Sequence, residues 1–310
     1  MNADIVLILN GRKNDRGFVQ EGYDGAIAAC AALGLTLAVI EHASKDPAEL
    51  QAHTRNAAAG GARGVIVHGS RADAALDAVA PDFPQTPFLS PGGYAMGPNI
   101  WNYAVRHYQA AFLAGVAAAR LTVTGVVGHL SGVPIAPGKR GRAAYVGGVR
   151  HADPSVRIVT GFCGEQDDPA LARRWVEAEI AEGVDILFTM LNFGRSGAIE
   201  ACRAHGIRQI GNIRDWAREE PDVFVASAIA GHGWSIDAWL KDLVAGRLEQ
   251  GRNAHAGLEV PRAVRLALAE DFPEPLRQEI SAVSGDVVAG RIAVPDSYDG
   301  PEFQPKDVVA

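Results

Sequence analysis

Short runs of β-branched and aliphatic residues alternate with alanine-rich helical segments along nearly the whole chain. The alternation begins with a strand at Asp4–Leu9 and a helix at Gly17–Leu33, and it continues to a helix that ends at Leu121. It starts again with a strand at Thr124–His129 and continues to a helix at Trp234–Leu248. Such alternation is typical of parallel sheets covered by helices. The sequence therefore predicts an α/β fold of two doubly wound units.

The two units are predicted to be two lobes of similar size. Residues 1–121 form the N-terminal lobe, to which part of 231–285 returns, and residues 122–230 form the C-terminal lobe, with part of the 286–310 tail. Hinges are expected in the short segments Leu121–Thr124 and Ala230–Gly233. Ligands of doubly wound sheets bind beyond the carboxyl ends of the strands, so we expect a ligand cleft between the lobes.

Charge and hydropathy exclude several classes of function. Lys and Arg number 29 against 36 Asp and Glu, a net charge of −7, whereas nucleic-acid binders carry a basic face. The chain has no run of about 18 apolar residues, which a membrane span requires. Its first residues lack the basic and apolar regions of a signal peptide. Two localisations stay open: outside the inner membrane, periplasmic or membrane-anchored, if a signal peptide has been removed, and the cytoplasm otherwise.

Common catalytic and cofactor motifs are missing. The segment Gly132–Arg140 has five residues between its glycines, two of them proline, and Arg140 where a phosphate-binding loop needs Ser or Thr. The sequence contains no GxSxG, no HExxH and no paired cysteines with zinc spacing. We therefore expect a binding protein that uses no cofactor and no metal, and not an enzyme.

Polar residues crowd the loop after the first strand. This loop runs from Asn10 to Phe18 and includes Asn14 and Asp15, which could equally cap the following helix. Ser70, which follows the third strand, and His232, at the end of a later strand, are further polar candidates. Because these positions fall at carboxyl ends of predicted strands, we expect them to contact a ligand.

Aromatic residues fall in predicted strand-end loops more often than a core would require. A flat ligand held by stacking, with a few polar groups that fix its orientation, suits such a set. Any one of these rings could instead serve local packing. The aromatic candidates are Phe18, Trp101, Tyr103, Phe193, Trp216 and Trp234, and the polar residues beside two of them, Asn192 and Asp215, complete the predicted site.

Ordered motifs from about residue 5 to 230 resemble the basic membrane protein family, substrate-binding lipoproteins of ABC importers that include purine nucleoside receptors. The matching segments are Asn14–Phe18 with Gly22–Gly25, Val79–Pro84, Asn99, Gln109–Gly115, Gly147–Gly148 with Asp153–Val156, Asp167–Pro169 and Gly183–Leu187. The resemblance implies a type I periplasmic-binding fold whose aromatic rings clasp a base. By motif position, the resemblance makes Asp15 and Phe18 candidate ligand contacts. It also places Asn192–Phe193 and Asp215–Trp216 in ligand loops of the second lobe.

The chain departs from the family where polar groups would hold a ribose. It has Arg106-His107 before the alanine-rich helix, Ser90-Pro91 after the fourth strand and Ser227–Ala230 where nucleoside receptors carry a lysine. A free base is therefore as plausible a ligand as a nucleoside. We expect a monomer that captures a purine-like heterocycle by hinge closure and delivers it to a membrane permease. The alternatives are a cytoplasmic ligand sensor of the same fold and a nucleoside-processing hydrolase.

Overall fold

The computed structural model describes residues 3–42, 44, 46–69, 72–250 and 253–306. The chain divides into two compact units: unit 1 comprises Met1–Val105 and Gly231–Ala256, and unit 2 comprises Arg106–Ala230 and Gly257–Ala310. Within the described ranges, no helix is both long enough and apolar enough to cross a bilayer.

Thirteen strands and ten α-helices make up the described chain. The strands are β1 (Ile5–Asn10), β2 (Leu37–His42), β3 (Gly64–Gly69), β4 (Phe88–Leu89), β5 (Ile100–Trp101), β6 (Tyr103–Val105), β7 (Val126–Ser131), β8 (Arg157–Phe162), β9 (Ile186–Met190), β10 (Arg208–Ile213), β11 (Phe224–Ala230), β12 (Ala254–Ala256) and β13 (Val264–Leu268). The helices are α1 (Phe18–Leu33), α2 (Pro47–Ala59), α3 (Ala72–Val79), α4 (His107–Leu121), α5 (Ala136–Ala152), α6 (Pro169–Ala181), α7 (Arg195–His205), α8 (Trp216–Glu219), α9 (His232–Val244) and α10 (Glu274–Val288).

Unit 1 is built on a parallel five-stranded sheet in the order β2-β1-β3-β4-β5. Its central strands are apolar at their buried positions except for His68 in β3, as expected of a sheet covered on both faces. Helices α1 and α9 pack closely because Gly25 faces Gly233, where a Cβ on Gly25 would lie 2.2 Å from the Gly233 Cα. This close approach fixes the beginning of α9, which carries His232, beside α1.

Unit 2 is built on a six-stranded sheet in the order β13-β11-β10-β9-β7-β8. Five of its strands are parallel, and β13 joins antiparallel to β11. Asp168 caps α6 by accepting a hydrogen bond from the Leu171 N–H, and Pro169 begins the helix, a favourable start for both residues. The α/β architecture with two doubly wound units agrees with the prediction.

The division into units differs from the predicted boundary at residue 121. Helix α4 belongs to unit 2, where it packs on α5 with Gly115 and Gly148 at the contact, so the first crossover lies at Val105–Arg106. The predicted hinge at Leu121–Thr124 is wrong, because the Asp185 carboxylate accepts hydrogen bonds from the Thr122 hydroxyl and the Thr124 amide within unit 2. The crossover at Ala230–Gly231 falls in the second predicted hinge, and a third lies at Ala256–Gly257.

Candidate functional site

The loop after β1 turns back on itself through Asp15. This carboxylate is buried and accepts hydrogen bonds from the backbone N–H groups of Gly17, Val19 and Gln20, at 2.8, 3.0 and 2.9 Å. Three backbone donors at the beginning of α1 thus share one acceptor group, as helix caps do. The structure therefore gives Asp15 a capping role, while contact with a ligand stays a prediction.

Three rings meet where β1 and β3 end and α9 begins. The Phe18 ring lies 4.3 Å from the His68 ring and 4.4 Å from the His232 ring, measured between centroids, the latter edge-on at 80°. His68 is fully buried, and His232 is 7% exposed, whereas Phe18 is half-buried. We call Phe18, His68 and His232 the ring cluster. It offers aromatic surface at the edge where ligands of parallel sheets bind.

His68 is held as a neutral donor. Its Nε2 lies 2.7 Å from the Phe18 carbonyl oxygen, which can only accept, so Nε2 carries the proton and Nδ1 is an acceptor. That Nδ1 is buried and has no hydrogen-bond partner among the described residues. Burial lowers the pKa of His68 from 6.5 to about 4, so the ring stays neutral at neutral pH. Gly22 permits this packing, since a Cβ there would lie 2.4 Å from Nε2.

Two predicted aromatic contacts of unit 1 belong to its hydrophobic core. Trp101 is 5% exposed, and its indole N–H donates to the Glu249 carbonyl at 3.0 Å. Tyr103 is equally buried, and its hydroxyl donates to the Asp242 carboxylate at 2.7 Å. Both rings belong to the same hydrophobic core cluster as Trp239, so their predicted placement in ligand loops is wrong. Each falls in a short strand rather than in a loop.

The remaining predicted residues of unit 1 vary in accessibility. Asn10 is half-buried at the end of β1, and Asn14 is exposed in the following loop. Trp234, on the first turn of α9, is half-buried, and its indole N–H has no hydrogen-bond partner among the described residues. Ser70 lies outside the described residues. None of these positions is in conflict with a ligand contact, and each stays a prediction.

In unit 2 the loop after β9 presents Asn192 and Phe193. The Phe193 ring is 43% exposed, and its backbone N–H donates to the Asp167 carboxylate at 3.1 Å. The Asn192 backbone N–H donates to the Gln166 carbonyl at 3.2 Å, and Asn192 itself is half-buried. Backbone hydrogen bonds therefore hold this loop in place and leave both side chains accessible.

A buried arginine organises the neighbouring strand ends of unit 2. Arg195 is 1% exposed and donates to the Thr189 hydroxyl at 2.7 Å, to the Leu191 carbonyl at 2.6 Å and to the Asn212 side-chain oxygen. Its guanidinium also lies 4.8 Å from the centre of the Trp216 ring. These contacts tie the ends of β9 and β10 to α8. We call Arg195, Thr189, Asn212 and Trp216 the arginine network.

Trp216 is fully buried inside this network, so its predicted exposure to a ligand is wrong. Its indole N–H donates to the Asn212 carbonyl at 3.1 Å, and its ring packs on Phe224. The adjacent Asp215 is partly exposed and lies 3.9 Å from Arg265. Ile213, which follows Asn212 in the chain, has a φ of +69°. This backbone conformation is rare for β-branched residues, and such strained residues cluster at functional sites.

Two buried residues near the predicted site are absent from the sequence-based candidates. His68 lies next to the last residue of β3, and its place near a strand end is the signal that indicates the ring cluster. Arg195 carries no such signal, because an arginine on a helix is usually exposed. His129, inside β7, is fully buried between the Thr160 and Ser131 hydroxyls, and burial lowers its pKa to about 3.

Buried thiols and one histidine–glutamate cluster are further reactive groups in the part of the chain that the structure describes. The three cysteines are buried thiols, and burial raises the pKa of Cys30 to about 11 and that of Cys202 to about 12, so neither is a nucleophile at neutral pH. One cluster meets the spacing for a metal ion, His42 with Glu49 and His53, and it includes no predicted site residue.

Known proteins resemble this chain over most of its length. The sequence profile of the Bmp family, described as ABC transporter substrate-binding protein PnrA-like, matches residues 3–297. Basic membrane protein A2 of Borrelia garinii subsp. bavariensis is 26% identical over 207 residues, which cover 65% of this chain and 61% of that protein. A purine-binding protein of Brucella abortus is 26% identical over 151 residues, which cover 49% of this chain and 43% of that protein. The chain thus spans less than two thirds of these relatives' length.

The fold is shared with a solved structure. A solute-binding protein of an ABC transporter system from Aeropyrum pernix K1 superposes with a TM-score of 0.82 at 20% identity, over 95% of this chain and 94% of that one. This similarity confirms the predicted type I periplasmic-binding fold. Together with the family profile, it shows that the chain belongs to the Bmp family of PnrA-like ABC transporter substrate-binding proteins.

Proposed function

We propose that this protein captures a purine base or nucleoside between its two units and delivers it to the permease of an ABC importer. The observation that carries the ligand class is the ring cluster, where the half-buried Phe18 lies against two imidazoles. A flat heterocycle bound there would stack on aromatic rings and bury its faces, and few of its polar groups would be left without hydrogen-bond partners. The named purine-binding relative supports the same class.

The polar groups near the ring cluster suit a purine in number and kind. A base needs two to four hydrogen-bond partners, and the Nδ1 acceptor of His68, the indole donor of Trp234 and the amide of Asn10 are of the required types. A sugar needs partners for several hydroxyls, and each buried hydroxyl left unpaired costs about 1–3 kcal/mol. Side chains of this composition favour the heterocycle over a hexose.

On the second unit, the proposal assigns ligand contact to Phe193, Asn192 and Asp215, the partly accessible residues at its strand ends. Trp216 and Arg195 would then act as positioning residues that hold those loops. The proposed site of action is outside the cytoplasmic membrane, beside the permease, as for a substrate-binding protein of an importer. A purely binding, non-enzymatic role follows from the same assignment.

A thermal-shift screen across nucleobases, nucleosides, hexoses and amino acids tests the ligand class. We expect the Tm to rise with one or more purines and to stay unchanged with hexoses and amino acids, because a ligand that binds only the folded state stabilises it. Trp234→Phe keeps an aromatic ring but removes the indole N–H donor, so it should reduce the rise in Tm caused by the purine. A Tm rise with a hexose and no response to any heterocycle would reject the purine assignment.

Small-angle scattering with and without the identified ligand tests closure. Binding proteins with two units joined by short crossovers trap ligand by hinge motion, so the radius of gyration should fall at saturation. An unchanged radius with saturating ligand would reject closure while leaving the ligand class intact. Lysozyme or another protein of fixed shape, measured in the same ligand solution, controls for solvent contrast.

A further inference from the structure

A side-chain cluster in unit 1 has the donor set of a metal site. His42 is the last residue of the edge strand β2, and Glu49 and His53 lie one turn apart on α2 and so share a helix face. One ligand atom from each of the three residues lies within 4.8 Å of the other two. A strand end and a helix face thus bring together two imidazoles and a carboxylate that are separated in sequence.

The buried imidazole of the cluster is not otherwise satisfied. The His42 side chain is 1% exposed, and neither of its ring nitrogens has a hydrogen-bond partner among the described residues. Its Nδ1 lies 3.9 Å from the nearest Glu49 carboxylate oxygen, beyond hydrogen-bond distance. Because buried polar atoms are nearly always paired, an imidazole with two unpaired nitrogens beside a carboxylate indicates a missing ligand.

The distances suit a small ion placed between the three groups. Ligand atoms around a tetrahedral zinc ion lie roughly 3.4 Å apart, since each is about 2.0–2.1 Å from the metal. In the structure one Glu49 carboxylate oxygen lies 3.7 Å from His53 Nε2, and the other lies 3.9 Å from His42 Nδ1. Glu49 and His53 are 50% and 32% exposed, so their side chains have room to close the remaining gap.

The chemistry of the donors selects the metal. Two imidazoles and a carboxylate are a common zinc set that leaves a fourth position for water, whereas calcium and magnesium prefer oxygen ligands alone. We propose that His42, Glu49 and His53 bind one zinc ion. This inference stands apart from the proposed function, because none of the three residues belongs to the ring cluster or to the predicted ligand contacts.

The site would fasten the connection between β2 and α2 next to the first ligand loop. The His42 carbonyl accepts a hydrogen bond from the Gly11 N–H at 3.1 Å, and His42 is the strand partner of Asn10. A metal on His42 would therefore hold the edge of the sheet from which that loop leaves. We expect zinc to raise the Tm of the protein in the absence of any organic ligand.

Calorimetric titration of the chelator-treated full chain with zinc chloride alone tests the proposal. We expect one zinc ion per chain, an affinity at least about 100-fold weaker in His42→Ala and in His53→Gln, and no change in His205→Gln, whose histidine is exposed at the end of α7 in unit 2. Circular dichroism of each variant checks folding, and the surface variant His53→Gln alone is decisive if His42→Ala misfolds.

Two outcomes would overturn the site: no saturable zinc binding by the wild type, or equal binding by the wild type and His53→Gln. Cobalt(II) gives a second readout, because the site should produce visible absorption bands that His53→Gln abolishes while His205→Gln keeps them. A purine titration on the same samples separates the two proposals. If the wild type binds a purine but no zinc, the metal site alone is rejected. If it binds zinc but no purine, the proposed function alone is rejected.

Discussion

Phe18 in unit 1 and Trp216 in unit 2 are aromatic residues near strand ends, and they differ in burial. In unit 1 the Phe18 ring is half-buried against His68 and His232, and Asp15 holds the polar loop before it through backbone hydrogen bonds. In unit 2 the Trp216 ring is fully buried, and the Arg195 guanidinium lies 4.8 Å from its centre, although Phe193 of the same unit is exposed. Phe18 therefore leaves part of its ring surface accessible, whereas Trp216 supports the strand-end loops of unit 2.

The tryptophans near the strand ends also differ in burial. The Trp216 indole donates to a backbone carbonyl, as does that of Trp101, and both rings are core. The Trp234 ring is half-buried, and its indole N–H has no hydrogen-bond partner among the described residues. The predictions below test this division.

The largest effect should come from breaking the arginine network. Arg195→Met leaves the Thr189 hydroxyl and the Asn212 amide without their buried donor, so unfolding free energy should fall by about 3–5 kcal/mol. Arg203→Met, which removes an exposed arginine paired with Asp222, should cost less than about 1 kcal/mol. Urea denaturation of both variants measures the contrast. Equal losses would show that the network does not support unit 2.

The fully buried His68 and His129 should make the free energy of unfolding depend on pH between 6.5 and 4. His68 binds a proton below about pH 6.5 when unfolded but only below about pH 4 when folded, so its contribution, present above pH 6.5, is lost as the pH falls to 4. The loss amounts to roughly 3 kcal/mol, at about 1.4 kcal/mol per pKa unit. His129, with a folded pKa of about 3, acts in the same direction.

Denaturation at a series of pH values checks this for each unit separately. His68→Gln and His129→Gln should each flatten the fall in unfolding free energy between pH 6.5 and 4 relative to the wild type. The exposed His205→Gln should leave the slope unchanged. A wild-type slope in His68→Gln would mean that the pKa of this ring is the same in the folded and the unfolded protein.

Asp15 distinguishes capping from ligand binding in unit 1. Asp15→Ala removes the acceptor of three backbone N–H groups, so we expect it to lower the unfolding free energy by about 1–2 kcal/mol. Asp46→Ala removes the acceptor of a single bond, to the Ala48 N–H at the start of α2, and should cost about 1 kcal/mol or less. An unchanged Tm together with weaker ligand binding would instead make Asp15 a ligand anchor.

The smallest effect concerns the two accessible phenylalanines. Phe18→Ala should weaken purine binding about 10-fold, or about 1.4 kcal/mol, because it removes the centre of the ring cluster. Phe193→Ala should weaken it only a few-fold, since that ring is 43% exposed. Calorimetry with one purine on both variants measures the ratio. A larger loss in Phe193→Ala would place the main stacking surface on unit 2.

Sequence patterns predicted the fold more completely than they predicted the arrangement of side chains at the candidate site. The alternation of strands and helices gave nearly every element, because periodicity is a local property. The pattern did not predict that α4 packs on α5 in unit 2. Gly115 and Gly148 allow this close contact, but their spacing in sequence does not indicate that the two helices are neighbours. The short strand β12 and the antiparallel β13 depend likewise on partners distant in sequence.

For the site, the sequence predicted which loops follow the strand ends but not which side chains are accessible there. Phe18 and Trp216 look alike in sequence, each an aromatic residue near the end of a strand. The contacts of Trp216 with Arg195 and Asn212 are set by tertiary packing, and the same holds for the cluster of His42 with His53. Local pattern therefore located the edge of each sheet but could not sort its side chains.

Calorimetric titration of the full chain with adenosine, hypoxanthine and glucose, on the wild type and on Phe18→Ala side by side, tests the central claim most directly. The account predicts saturable binding of one purine ligand per chain with micromolar or better affinity, about 10-fold weaker in Phe18→Ala, and no heat from glucose. Saturable binding of glucose with no response to either purine, or purine binding that is unaffected in Phe18→Ala, would contradict it.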